Sequence, residues 1–213
     1  VSATPATAPG KPLRVSARRG PGRVTLSWRR PASSGGASIT DYRILMSLDG
    51  IEWNAIDDVV SSAPSSTISG LTNGQRYRFR VAAVNRTGSG AWSSSAAATP
   101  LATPGAPVDV TANPGNGRAT ITWGVPTDNG GTRITRYVVQ RSADGGASWV
   151  TLARGTTLTP SQYAKWLDNG RTYRFRVAAR NAIGRGPWSA PFSVVPRSEE
   201  HTSELQSRLH LVC

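Results

Sequence analysis

A chain of 213 residues with 25 Lys and Arg against 12 Asp and Glu carries a formal charge of +13, with one cysteine and two histidines. A single cysteine excludes an internal disulfide, and the lack of any run of 18 apolar residues excludes a membrane-spanning helix. Both histidines and the cysteine lie beyond residue 196, so residues 1–196 lack the commonest general base, the thiol nucleophile and the soft metal ligands.

The chain opens at Val1 and reads as a fragment of a longer protein. After a prolyl lead-in (Pro9, Pro12), alternation of apolar and polar residues predicts strands over 12–18 and 23–29, separated by Gly20-Pro21-Gly22. The second strand places Val24, Leu26 and Trp28 on one face, and Thr25, Ser27 and Arg29 on the other. Ser34-Gly35-Gly36 precedes a strand over 39–47, and Asp49-Gly50 a strand over 52–57. Another strand is predicted over 65–70 before Asn73-Gly74. In the strand over 75–84, Tyr77, Phe79, Val81 and Ala83 share one side, while Arg76, Arg78, Arg80 and Ala82 share the other. A last strand is expected over 91–98. Period two with one apolar face means antiparallel strands covered on one side, and no stretch has helical periodicity. Seven strands per unit predict an all-β sandwich.

From residue 101 the pattern begins again. At an offset of 95, Pro9, Trp28, Pro31, Tyr42 and Asp49-Gly50 meet Pro104, Trp123, Pro126, Tyr137 and Asp144-Gly145; the extra Gly146 then shifts the offset to 96. Trp53, Asn73, Asn85 and Trp92-Ser93 meet Trp149, Asn169, Asn181 and Trp188-Ser189, and YRFRVAA recurs letter for letter at 77–83 and 173–179. A period of this size is a duplicated domain rather than a solenoid repeat. The expected units are 9–100 and 106–196, with a linker over 101–105.

The ordered set Pro9, Pro12, Trp28, Pro31, Tyr42, Leu71, Tyr77, Asn85, Gly88 and Gly90 resembles a fibronectin type III domain. Pro104, Pro107, Trp123, Pro126, Tyr137, Leu167, Tyr173, Asn181, Gly184 and Gly186 repeat it. The resemblance implies two tandem seven-stranded, immunoglobulin-like β-sandwiches. Trp28 and Trp123 are then core plugs, with Tyr42 and Tyr137 on the third strands. Leu71 with Tyr77, and Leu167 with Tyr173, form tyrosine corners whose phenol returns to nearby backbone. Trp92 and Trp188 are expected to stack on Arg78 or Arg80 and Arg174 or Arg176, as in the Trp/Arg ladders of cytokine-receptor fibronectin modules. The loops that would carry Arg-Gly-Asp in integrin-binding relatives read NRTGSG and NAIGRG, so that activity does not carry over.

No catalytic constellation is expected. Asp57-Asp58, the one adjacent acidic pair, would point to opposite faces of a strand. Neither a cofactor nor a metal is expected. The reading is a non-catalytic spacer or interaction module of a larger secreted or cell-surface protein, with a protein or polysaccharide as partner. The wording SSGGASITDYRI and DGGASWVTL resembles modules in secreted proteins of GC-rich bacteria. No nucleic-acid binding, no membrane insertion and a monomeric fragment are expected. One rival is a polyanion-binding domain pair, with Arg14, Arg18, Arg19, Arg23, Arg29 and Arg30 as the candidate cluster. A further rival is part of a eukaryotic adhesion or receptor ectodomain. Without a site, the arginines should be scattered over both sheets and ends. Asn85-Arg86-Thr87 is a glycosylation sequon by pattern. Residues 197–213 have no counterpart in the first copy. Arg197 to Ser207 resembles the in-frame translation of a sequencing adapter, and the segment is expected to be disordered and foreign to the fold.

Overall fold

The computed structural model describes residues 5–57, 59–152 and 158–198. The chain divides into two compact units, one up to Ala102 and one from Thr103. The first contains β1 (Leu13–Gly20), β2 (Arg23–Arg29), β3 (Ile39–Ser47), β4 (Asn54–Ile56), β5 (Ser65–Ser69), β6 (Tyr77–Asn85), β7 (Gly88–Ser89) and β8 (Ala96–Ala98). The second contains β9 (Val108–Gly115), β10 (Arg118–Gly124), β11 (Ile134–Ser142), β12 (Val150–Thr151), β13 (Ser161–Lys165), β14 (Tyr173–Asn181), β15 (Arg185–Trp188) and β16 (Phe192–Val194).

Each unit packs a three-stranded sheet on a larger one. The orders are β1-β2-β5 and β4-β3-β6-β7, with β8 also on β6; the second unit repeats them as β9-β10-β13 and β12-β11-β14-β15, with β16 on β14. All pairings are antiparallel. The core of the first unit gathers Val24, Leu26 and Trp28 from β2, Tyr42 and Ile44 from β3, and Phe79, Val81 and Ala83 from β6. Ala119, Ile121, Trp123, Tyr137, Val139, Phe175, Val177 and Ala179 do the same in the second. Trp28 meets Tyr42 edge-on at 4.9 Å between ring centroids, and Trp123 meets Tyr137 at 5.2 Å. The repeated heptapeptide is the central strand of each larger sheet. Phe79, Val81, Ala83 and their counterparts have no exposed surface at all. At such density a change of one methylene is felt, which explains the identity of the two copies at these positions.

Both tyrosine corners form. Tyr77 Oη accepts the Thr72 N–H at 3.0 Å. Tyr173 Oη accepts the Asp168 N–H at 3.1 Å and donates to Asp168 Oδ2 at 3.1 Å. Tyr77→Phe is therefore expected to cost about 1 kcal/mol, the net worth of one buried hydrogen bond. Tyr173→Phe should cost more because it also deprives a carboxylate of a donor. Urea melts of the two single variants would check this order.

The strand expected over 91–98 is not continuous. It is replaced by β7, an irregular stretch and β8, so Trp92 lies in no strand. The cause is Ser93. Its N–H donates to Val81 O, but its Oγ accepts the Val81 N–H at 3.1 Å, where a strand would offer a carbonyl. Ser189 repeats this on Val177 at 3.0 Å. Both serines are buried. In each Trp-Ser pair it is the serine that completes the ladder.

Pro100 and Pro104 are fully buried. Pro100 O accepts the Gly74 N–H, and Gly105 N–H donates to Asp128 O at 2.8 Å. Residues 104 and 105 are thus held by the second sandwich. Arg197 N–H reaches Gly115 O at 3.3 Å, one residue past the expected end of that domain. The rest of the C-terminal segment, from Glu199, lies outside the described residues, as does Asp58. Among the described residues no helix is long and apolar enough to cross a membrane.

Candidate functional site

Two arginine-rich features stand out on the first sandwich, one on each sheet. On the larger sheet, Arg80 of β6 lies opposite Leu45, and Leu45 lies opposite Ala55. Trp53 shares the outward parity of Ala55, and its ring reaches the Arg80 guanidinium at 4.2 Å. The Trp53 indole N–H donates to Gly50 O at 3.2 Å, which fixes the ring. The expected stack of Arg80 on Trp92 is not formed; among the described residues Trp92 carries no guanidinium over its ring. β7 ends at Ser89, short of Trp92, which is 37% exposed.

In the second sandwich β15 is longer, and Trp188 stays paired opposite Ala178. Arg176 lies 4.1 Å from the Trp149 ring and 4.6 Å from Trp188, while Arg185 lies 4.5 Å from Trp188. Gln140 Oε1 accepts from Arg176 Nε and a terminal nitrogen at 2.9 and 2.7 Å. Burial, then the charge of Arg185, lowers the pKa of Arg176 from its ordinary value. The first copy has Leu45 in place of Gln140, and there the Arg80 Nε is buried with no hydrogen-bond partner. The sequence pointed to Trp92 and Trp188 and missed Trp53 and Trp149. Their recurrence at the 96-residue offset was the available signal. Of the other two arginines named, Arg174 donates instead to Gly145 O at 2.7 Å.

The second feature is the candidate polyanion cluster, which the structure splits. Arg18 lies opposite Thr25, and Gly20 opposite Arg23, so Arg18 and Arg23 are diagonal neighbours on the outer face. Arg18, Arg19 and Arg23 line one hollow of about 270 Å³ with Pro21 and Thr25. Arg18 and Arg19 also line a second, of about 460 Å³, with Arg76 and the small residues of β8. Arg76 was not among the candidates, because its nearness depends on β8 lying beside β1. Arg29 pairs with Leu13 at the opposite end of the ribbon, where Arg14 and Arg30 also lie. Four residues of strand, about 13 Å, separate Arg14 from Arg18. The six are thus divided between the two ends of the ribbon. Arg14 sits in a bulge with φ 52°, and its counterpart Asp109 has φ 49°. The bulge belongs to the fold and does not require a cation. Arg18, Arg19, Arg23 and Arg76 correspond to Asn113, Pro114, Arg118 and Thr172 in the second copy.

Asp49 and Asp144 act as turn staples. Asp49 Oδ1 accepts the N–H groups of Ile51 and Glu52 and the Ser47 hydroxyl, and the Ile51 N–H leads in pulling its pKa below the ordinary 3.8. Asp144 is held lower still, first by the Ser142 hydroxyl and then by the side chain and N–H of Ser148. A folded-state pKa below the unfolded value stabilises the fold above the unfolded pKa and loses that contribution as pH falls through the folded one. Melting temperature should therefore fall as pH drops from about 4 toward 2. Asp144→Asn should flatten the second sandwich's share of that fall, as melting scans across this range would read.

Asn85 is 3% exposed. Its Nδ2 donates to Thr7 O at 2.7 Å and Ser34 O at 2.8 Å, and its Oδ1 accepts the Thr87 N–H at 2.8 Å. Both amide hydrogens of the sequon are thus engaged in tying the N-terminal lead-in to the sandwich. Folded protein secreted from a eukaryotic host should carry no glycan at Asn85, which intact-mass measurement would show. Among the described residues no group of three His, Cys, Asp or Glu is placed to hold a metal ion.

The model of the fibronectin type III domain matches residues 7–99 and again 104–195. Human neogenin is 34% identical over 203 residues, covering 90% of this chain, and human myomesin-2 is 29% identical over 192 residues, covering 86%. In each case the match spans 13% of the relative's length. Among solved structures, the FN1–FN3 domains of chicken CNTN1 are similar at a TM-score of 0.49 and 24% identity, covering 89% of this chain and 67% of that one. Matched twice over nearly all the described residues, the chain belongs to the fibronectin type III family, as two tandem domains.

Proposed function

We propose that this tandem is a non-catalytic spacer and interaction module of a larger secreted or cell-surface protein. The observation that carries the reading is that each sandwich closes its own core and uses ring-facing arginines on its own tryptophans. Arginine in the ladders is thereby accounted for without a ligand, and Asp49 and Asp144 are accounted for by their turns. What remains for a partner is the outer surface. Neogenin and myomesin-2, which contain similar stretches as a small share of long chains, are compatible with such a building block.

A second reading is favoured by one feature. The convergence of Arg18, Arg19, Arg23 and Arg76 on two adjoining hollows with no acid in either lining suits an acidic polymer at that end of the first domain. Elution of the separated domains from a heparin column tests both readings. Equal elution of the two, early and below about 0.15 M salt, supports the spacer reading. Late elution of the first domain alone, abolished by Arg18→Ala with Arg76→Ala, supports the acidic-polymer reading.

A further inference from the structure

Asparagine is a thermolabile residue, and most so before glycine, whose N–H reaches the asparagine carboxamide with no side chain in the way. The chain has four Asn-Gly steps, at 73–74, 116–117, 129–130 and 169–170, and three of them fall in the second domain. Deamidation needs the glycine nitrogen free to turn toward the asparagine Cγ. At every step the structure has committed that N–H elsewhere. Gly74 donates to Pro100 O at 2.8 Å, Gly170 to Pro196 O at 2.9 Å, and Gly130 to Asp128 Oδ1 at 2.7 Å. The remaining guard is of another kind. Gly117 N–H donates to Asn169 Oδ1 at 2.9 Å. A backbone N–H can only donate, which fixes the Asn169 amide and turns its Nδ2 onto Asn116 Oδ1 at 2.8 Å. One side chain thus holds both reacting ends of the 116–117 step.

In the first domain the same clamp guards nothing. Asn73 Oδ1 accepts the Gly22 N–H at 2.9 Å, but the residue before Gly22 is Pro21, which has no carboxamide. The clamp is therefore a structural tie of the fold that in the second domain also covers a reactive pair. Asn116 and Asn169 are both exposed, so the clamp competes with water and opens far more readily than the core. We propose that Asn116 is a latent deamidation site whose rate is set by the release of Asn169. On release, the Gly117 nitrogen attacks Asn116 Cγ. Its proton leaves with the side-chain nitrogen as ammonia, and a succinimide ring closes. Water then opens the ring at either carbonyl and leaves aspartate or isoaspartate. Isoaspartate adds a methylene to the main chain beside Gly117, whose O accepts the Leu167 N–H at 3.0 Å next to the tyrosine corner. Ageing at this step loosens the second domain and spares the first. It requires no partner and so goes beyond the reading of the chain as an interaction module.

The test incubates the intact chain in mildly alkaline buffer and follows each Asn-Gly step by peptide mass mapping. Asn116 should react more slowly in the folded chain than in urea. Asn169→Ala should speed it about tenfold, the order of one lost hydrogen bond. Asn169→Asp keeps an acceptor for the Gly117 N–H and should react no faster than the parent. The 129–130 step, guarded by Asp128, should hold its rate in both variants and so reports any general loosening. Asn116→Pro, which copies Pro21, should melt no lower than the parent when fresh and higher than the parent after ageing. Equal rates at Asn116 in the folded chain and in urea would overturn the proposal whether or not Asn169→Ala folds. So would a folded Asn169→Ala that matches the parent or speeds 129–130 as much as 116, and so would Asn169→Asp reacting as fast as Asn169→Ala.

Discussion

Trp28→Ala is expected to destabilise the first domain by about 3–5 kcal/mol, and Trp123→Ala the second by a similar amount. Each ring fills the space between two sheets, is 5–6% exposed, and packs edge-on against a tyrosine that would be left beside a cavity. The loss should fall toward the lower end of that range. The indole N–H of both residues is buried without a hydrogen-bond partner among the described residues, so truncation also removes an unsatisfied donor. Trp28→Phe, which keeps most of the ring and drops the N–H, should therefore cost far less than the alanine variant. For a domain of this size each kcal/mol moves the melting temperature by about 4–8 °C. Calorimetry of the three single variants would read it. An alanine variant melting within about 2 °C of the parent would show that the ring is not a core plug.

A comparable effect is expected from adding a single carbon at a loop glycine. A Cβ on Gly90 would lie 2.1 Å from Pro9 O, and one on Gly186 would lie 2.2 Å from Pro104 O. The obstruction is backbone, so no side chain can swing aside. The prolyl lead-in must detach or the loop must shift. Gly90→Ala and Gly186→Ala should each cost about 1–3 kcal/mol, the usual range for overpacking a filled site. The detachment has its own signature, because Asn85 would lose its partner at Thr7. Hydrogen exchange at Thr7 and Gly10 should rise together in Gly90→Ala, since both N–H groups tie the lead-in to the loop between β2 and β3, at Gly35 O and Ser33 O.

Most of the fold could be read from alternation and from the duplication, because both are local signals repeated twice. β2, with Val24, Leu26 and Trp28 inward, came from parity, and β3 over 39–47 from the turn signals that bound it. The tyrosine corners were implied by the family resemblance that Leu71 and Tyr77 help to carry. What escaped was governed by side chains entering the backbone ladder. Ser93 reads as an ordinary polar residue in a strand, and nothing in the pattern announces that its hydroxyl will replace a carbonyl. Ala82 was placed on the outer side of the central strand, yet it is fully buried, as is its counterpart Ala178 opposite Trp188. The ring-and-guanidinium layer makes that outer face a second interior. The arginine cluster was half legible: Arg18 and Arg23 are close along one ribbon, whereas Arg76 approaches only through long-range pairing.

The account holds that the chain is two self-contained sandwiches, each with its own core, corner and ladder. The most direct measurement is the amide NMR spectrum of residues 5–102 and of residues 103–198, each produced alone and compared with the tandem. The account predicts two dispersed β-sheet spectra whose sum reproduces that of the parent, apart from shifts near residues 100–105. Failure of either half to fold alone, or loss of dispersion at the heptapeptide 77–83 or 173–179, would contradict it.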